Sequence, residues 1–270
     1  SWMLIVWQSS AGRMDGAAMA SPTMGMRAPL FLMTWAVMMM AMMVPAAAPM
    51  IMTFHRIQSS KRQRGEAFVA TWVFVAAYML VWALSGIAAY GGAVAAGTIA
   101  TRLALPATAV ARIGGMMLVA AGIYQLTPWK DRCLTRCRTP LSFIMTSWRD
   151  GLAGALRMGF HHGLYCLGCC WLLSAILFPL GIMNITAMAV MALIVFAEKS
   201  LPWARPVTRG TAAGLIAYGI AVLAVPGSLP TFMPDGGMVM TAPSMPASGT
   251  MQDMKGMGMV MQGSPRDRAR

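Results

Sequence analysis

Charge is what this chain has least of. Only 11% of its 270 residues are Asp, Glu, Lys or Arg, and just 8 are acidic; an average soluble domain carries ~25% charged residues. So little charge cannot cover the surface of a soluble protein of this size, which excludes a soluble enzyme, a nucleic-acid-binding domain and a disordered chain. The shortage of carboxylates also makes the chain a poor host for calcium or magnesium. There is no paired-carboxylate site, no Ser-His-Asp arrangement and no Gly-rich phosphate loop, so nothing resembles an ATP site. Histidine is scarce too, at 3 residues. The 5 cysteines are an odd number, which rules out a complete disulfide framework within one chain.

What is abundant is apolar. Hydrophobic residues make up 58% of the chain, and the 30 Met outnumber the 27 Gly. A helix needs about 20 apolar residues to cross a ~30 Å hydrocarbon core. Six segments read as spans: Pro29–Phe54, Ala67–Tyr90, Ala109–Leu126, Gly159–Leu180, Ile185–Phe196 extending towards Leu201, and Thr208–Val225. Pro45 and Pro49 should kink the end of the first. The fold expected is all-α, a polytopic transmembrane helical bundle. The short apolar run Trp2–Trp7 reads either as the tail of a further, truncated helix or as an interfacial anchor with Trp at the headgroups.

Basic residues alternate between connections. His55–Glu66, Thr127–Asp150 and Lys199–Arg209 are rich in Lys and Arg, whereas Gly91–Thr108 holds only Arg102 and Gly181–Asn184 holds none. The positive-inside rule puts the three basic loops in the cytoplasm. Three regions follow: an outward N-terminal segment (1–28), a transmembrane metal-binding domain (29–226) and an outward tail (227–270). Both outward segments are Met-rich. Met14, Met19, Met24 and Met26 lie in the first, and the tail carries G-M-V-M and M-Q-D-M-K-G-M-G-M. The tail's Gly, Pro and Ser mark it as a disordered arm.

The chemistry concentrates in M-G-F-H-H-G-L-Y-C-L-G-C-C-W, Met158–Trp171. On a helix, residues three or four apart share a face. Met158, His162, Cys166, Cys169 and Cys170 form such a stripe, with His161 and Tyr165 beside it. Soft thiolate and thioether ligands select Cu(I), and imidazole also suits copper. Ionisable groups inside a bilayer are costly and usually mark function, although a buried Cys is also an ordinary small hydrophobe. A second pair, Cys133 and Cys137, lies in a basic loop whose flanking cations should favour thiolate; a metal role and a structural role both stand. Six Met fall between Met33 and Met43, and Met39 and Met43 share a face with Trp35. Met stripes commonly fill core gaps, but these adjoin Met-rich arms, so metal contact in transit is the competing reading. Glu198, at the edge of a span, reads as a partner for a basic loop.

Four stretches resemble one family: A-M-M-V-P at Ala41–Pro45, Y-Q-L-T-P-W-K-D-R-C-L-T-R-C-R-T-P at Tyr124–Pro140, G-A-L-R-M-G-F-H-H-G-L-Y-C-L-G-C-C-W at Gly154–Trp171, and F-A-E-K at Phe196–Lys199. They are similar to the predicted metal-binding integral membrane proteins of bacteria, a former domain of unknown function associated with copper chaperones that serve tyrosinase-type copper oxidases. The resemblance covers Pro29 to Val225. It implies a metal role for Cys166, Cys169 and Cys170, and extends it to Cys133 and Cys137. It does not reach the Met-rich tail. The function expected is a chaperone in the bacterial inner membrane that binds Cu(I) and passes it to a client copper enzyme, an oxidase. A membrane thiol oxidoreductase using Cys166 and Cys169, and a metal transporter, are the alternatives.

Overall fold

The computed structural model describes residues 26–182 and 184–229. The expected tail, and the reading of Trp2–Trp7 as a helix remnant or anchor, lie outside the described residues. Among those described there is no strand. The helices in chain order are α1 (Ala28–Gln63), α2 (Thr71–Arg102), α3 (Ala107–Gln125), α4 (Pro128–Arg138), α5 (Pro140–Ser147), α6 (Gly151–Ala175), α7 (Leu177–Leu180), α8 (Ile185–Ser200) and α9 (Ala204–Ala224), followed by a 3-10 turn at Pro226–Ser228.

Among the described residues, five helical segments are long and apolar enough to cross a bilayer: α1, α2, α3, Gly151–Leu180 and α9. The sixth expected span, α8, has 16 residues, about 24 Å at 1.5 Å per residue. That is short of a ~30 Å core. The long helices also overrun the expected boundaries. Hydropathy marks where the apolar run stops, but backbone hydrogen bonding carries the helix on into polar sequence. Thus α1 continues through Pro45 and Pro49 and ends at Gln63, with Lys61 and Arg62 in its last turn, where cations suit the helix dipole. The connection expected at Gly91–Thr108 is largely the end of α2.

Likewise, Thr127–Asp150 is not one loop but two short helices. Thr127 caps α4 by accepting from the Lys130 backbone N–H, Pro128 occupies its first turn, and Arg136 and Arg138 occupy its last. Pro140 starts α5.

Small residues set the closest helix contacts, as they do where packing rather than water exclusion drives association. Gly159 and Gly163 face α2, and a Cβ on Gly163 would meet Val81 Cγ2 at 2.8 Å. On the other side α3 packs on α9, where a Cβ on Gly219 would fall 2.8 Å from the Gly115 carbonyl oxygen. Large apolar side chains, among them Leu80, Leu84, Ile87, Met116, Ile123, Leu193 and Ile220, point outward. Water would not tolerate so much exposed hydrocarbon. The main core holds Trp35, Met38, Met39, Met42, Met43, Tyr78 and Trp82 together with Cys166, Cys169 and Cys170. Met26, expected in an outward segment, packs into the same core.

Candidate metal centre

The stripe on α6 is buried along its length: Met158, His162, Cys166, Cys169 and Cys170 are each 2% exposed or less. Its members do not all meet. Met158 packs in a separate apolar cluster with Met50, Phe54, Phe74 and Phe143. His162 sits in an aromatic box, its ring centroid 6.0 Å from that of Phe74 and 5.6 Å from those of Tyr78 and Phe143. Its Nδ1 is buried without a hydrogen-bond partner. His161 is on the exposed side of the helix.

The three thiols converge. Cys169 and Cys170 Sγ are 3.3 Å apart, although neighbouring side chains on a helix leave its axis about 100° apart. The Cys169 S–H donates to the Cys166 carbonyl oxygen at 3.1 Å. Cys166 is buried in the same core as Cys169 and Cys170. From α4, the buried Cys137 packs into the same core as these thiols. Cys133 lies against the same helix, with its Sγ 3.0 Å from where a Cβ on Gly168 would be; a side chain larger than hydrogen at 168 would push it away. All five cysteines are free. The two cysteine groups of the sequence therefore lie in one sulfur-rich region, in the same core as the buried Met39 and Met43 of α1. One expectation is corrected. Burial raises the Cys133 thiol pKa above its ordinary value, because desolvation opposes the charged form.

Two residues at this centre are not among the candidate ligands read from the sequence. Lys199 Nζ donates to Cys166 Sγ at 2.7 Å. The Tyr78 hydroxyl lies 3.0 Å from the same sulfur and donates to the Met43 carbonyl oxygen at 3.3 Å. An ammonium and a phenol thus converge on one thiol inside an apolar bundle. Next to Lys199, Glu198 accepts from Lys130 Nζ at 2.7 Å and from Gln125 Nε2 at 3.0 Å. Glu198 does pair with the basic segment, as expected, but as a fully buried ion pair. Gln125, Lys130, Glu198 and Lys199 all belong to the stretches that carry the family resemblance, and the fold brings those stretches to one place.

Among the described residues no group of three or more His, Cys, Asp or Glu side chains is already disposed to hold a metal ion. The thiols instead satisfy one another, a backbone carbonyl and Lys199. Their chemistry still fits a soft monovalent cargo: thiols and thioethers in an apolar setting, with the buried carboxylate of Glu198 engaged by Lys130 and Gln125. Ligation would require these side chains to exchange hydrogen bonds for metal bonds.

Long apolar helices around free, buried sulfur define a class: helical proteins whose concentrated chemistry is soft-ligand chemistry. Within that class the assignment comes from sequence comparison. Residues 32–222 match the PpoB2 family, described as a copper chaperone, and the chain belongs to that family. A copper chaperone carries its metal and is not an enzyme. No curated protein and no solved structure matches the chain.

Proposed function

We propose that this copper chaperone is a multi-pass protein of the bacterial inner membrane that holds Cu(I) at the α6 thiols and delivers it to a client copper oxidase. The observation that carries the reading is the burial of Cys166, Cys169 and Cys170 in one cluster with Met39 and Met43, in a family described by its copper cargo. Cys166, Cys169 and Cys170 are the principal ligands. Cys137 and Cys133 are the donors from which the ion arrives or to which it leaves. Met39, Met43 and His162 complete the soft surroundings. Met158 and His161 lie away from the thiols and are given no ligand role. Cu(I) moves between such sites by exchanging one soft ligand at a time, so the nest need not open fully.

Alternation of basic and neutral connections supports six crossings with α8 as the short one, both chain ends facing outward. A short span is accommodated by local thinning of the bilayer. Segments 1–28 and 227–270 then serve as Met-rich arms that gather the ion outside, where thioethers resist trapping as disulfides.

Anaerobic Cu(I) titration of the purified protein tests this. Wild type is compared with C166S/C169S/C170S and with a chain ending at Val225. Tight binding should vanish in the triple variant, and uptake should only slow in the truncated one. Wild-type affinity in the triple variant would overturn the assignment.

A further inference from the structure

Away from the thiols, between α4 and the start of α9, lies a cavity of about 440 Å³. Arg138, Arg205 and Arg209 line it, together with Thr127, Thr208 and a single opposing charge, Asp131. Lys130 also borders it, but its charge is neutralised by Glu198. Among the described residues none of the three arginines is paired with a carboxylate.

Each of these features is unfavourable in an empty cavity. The start of a helix prefers negative charge, yet α9 has no acidic residue in its first turn and has Arg205 there instead. Arg205 and Arg209 are four residues apart, a spacing at which like charges repel. Arg138 spends one guanidinium nitrogen on the Leu201 carbonyl oxygen at 2.5 Å, and its Nε is buried with no partner. The Thr208 hydroxyl is buried and unpartnered as well. One multivalent oxyanion would relieve all of them. It would satisfy the guanidinium and hydroxyl donors and separate the two like charges.

We propose that this cavity is a binding site for a phosphate-class oxyanion, either the headgroup of an anionic phospholipid or a free phosphate. Three guanidiniums around one cavity match the several acceptor oxygens of a phosphoryl group better than a single carboxylate. Basic pockets between helices at a membrane surface commonly hold lipid phosphates. Occupancy would also tie α4, which carries Cys133 and Cys137, to α9.

The test uses the full, metal-free chain in detergent after delipidation, so it is independent of copper binding. One arm measures retention of phosphatidylglycerol against phosphatidylcholine by native mass spectrometry. The other measures the thermal shift produced by inorganic phosphate against chloride at equal ionic strength. The variants are R205Q/R209Q, with both side chains exposed, R138Q, and the control R56Q/R149Q. Preferential phosphatidylglycerol retention identifies a lipid headgroup, and a phosphate-specific shift identifies a free anion. Either response should weaken about tenfold in R205Q/R209Q and in R138Q but not in the control. R205Q/R209Q should be no less stable than wild type without ligand, since it removes a repulsion. No response in either arm, or equal loss in the control, overturns the proposal.

Discussion

Replacing Lys130 by Met should destabilise the protein more than almost any other single change outside the thiols. Lys130 and Glu198 side chains are 0% and 1% exposed, and their N–O distance is 2.7 Å. Removing the lysine leaves a buried carboxylate with only the Gln125 amide, 3.0 Å away. Breaking one side of such a pair costs about 3–5 kcal/mol. For a domain of this size that lowers the unfolding midpoint by roughly 6–20 °C. Glu198→Leu should cost a similar amount, because it strands the ammonium. The double variant Lys130→Met/Glu198→Leu strands neither charge and should be milder than either single change. Thermal unfolding of all four proteins in one detergent gives the cycle. Maleimide labelling of Cys137, on the same helix as Lys130, should rise in the two single variants and fall back in the double. A double variant as damaged as the two single losses added together would refute the reasoning, because it would show that the charges do not depend on each other.

Two further outcomes follow from the thiol region. Tyr78→Phe removes the hydroxyl shared between Met43 and Cys166; it should cost about 1 kcal/mol and hasten Cu(I) loss to a competing chelator, and an unchanged release rate would count against a role for Tyr78 in holding the nest. Cys133 should alkylate more slowly at neutral pH than an unhindered thiol, with its rate still climbing above the ordinary thiol range, because burial raises its pKa and the thiolate is the reacting form. A rate that levels off below that range would show that the flanking cations win after all.

The sulfur stripe was legible because helical spacing is local: Cys166, Cys169 and Cys170 fall three and four residues apart whatever surrounds them. Copper was legible from ligand softness, and the family from stretches that can be read directly. Partners distant in sequence were not. Tyr78 is 88 residues from Cys166 and Lys199 is 33 away, and no periodicity links positions so far apart. Lys199 in particular reads as one more cation at a helix end until the packing of α8 turns it inward. The convergence of Cys133 and Cys137 on α6 was hidden for a different reason. Their segment reads as a charged loop, and only the Thr127 cap and the prolines at 128 and 140 show where its helices begin. Hydropathy likewise located five of the expected spans but not their ends, since α1 and α2 outlast their apolar stretches.

Glu198 and Lys199 are adjacent in the chain yet serve different neighbours, α4 through Lys130 and α6 through Cys166. The last turn of α8 is therefore a short lever with a load on each arm. A shift of α4 would be carried, one peptide bond later, to the Lys199 amine that rests on Cys166 Sγ. The buried ion pair and the thiol contact are thereby geared together through a single helical turn.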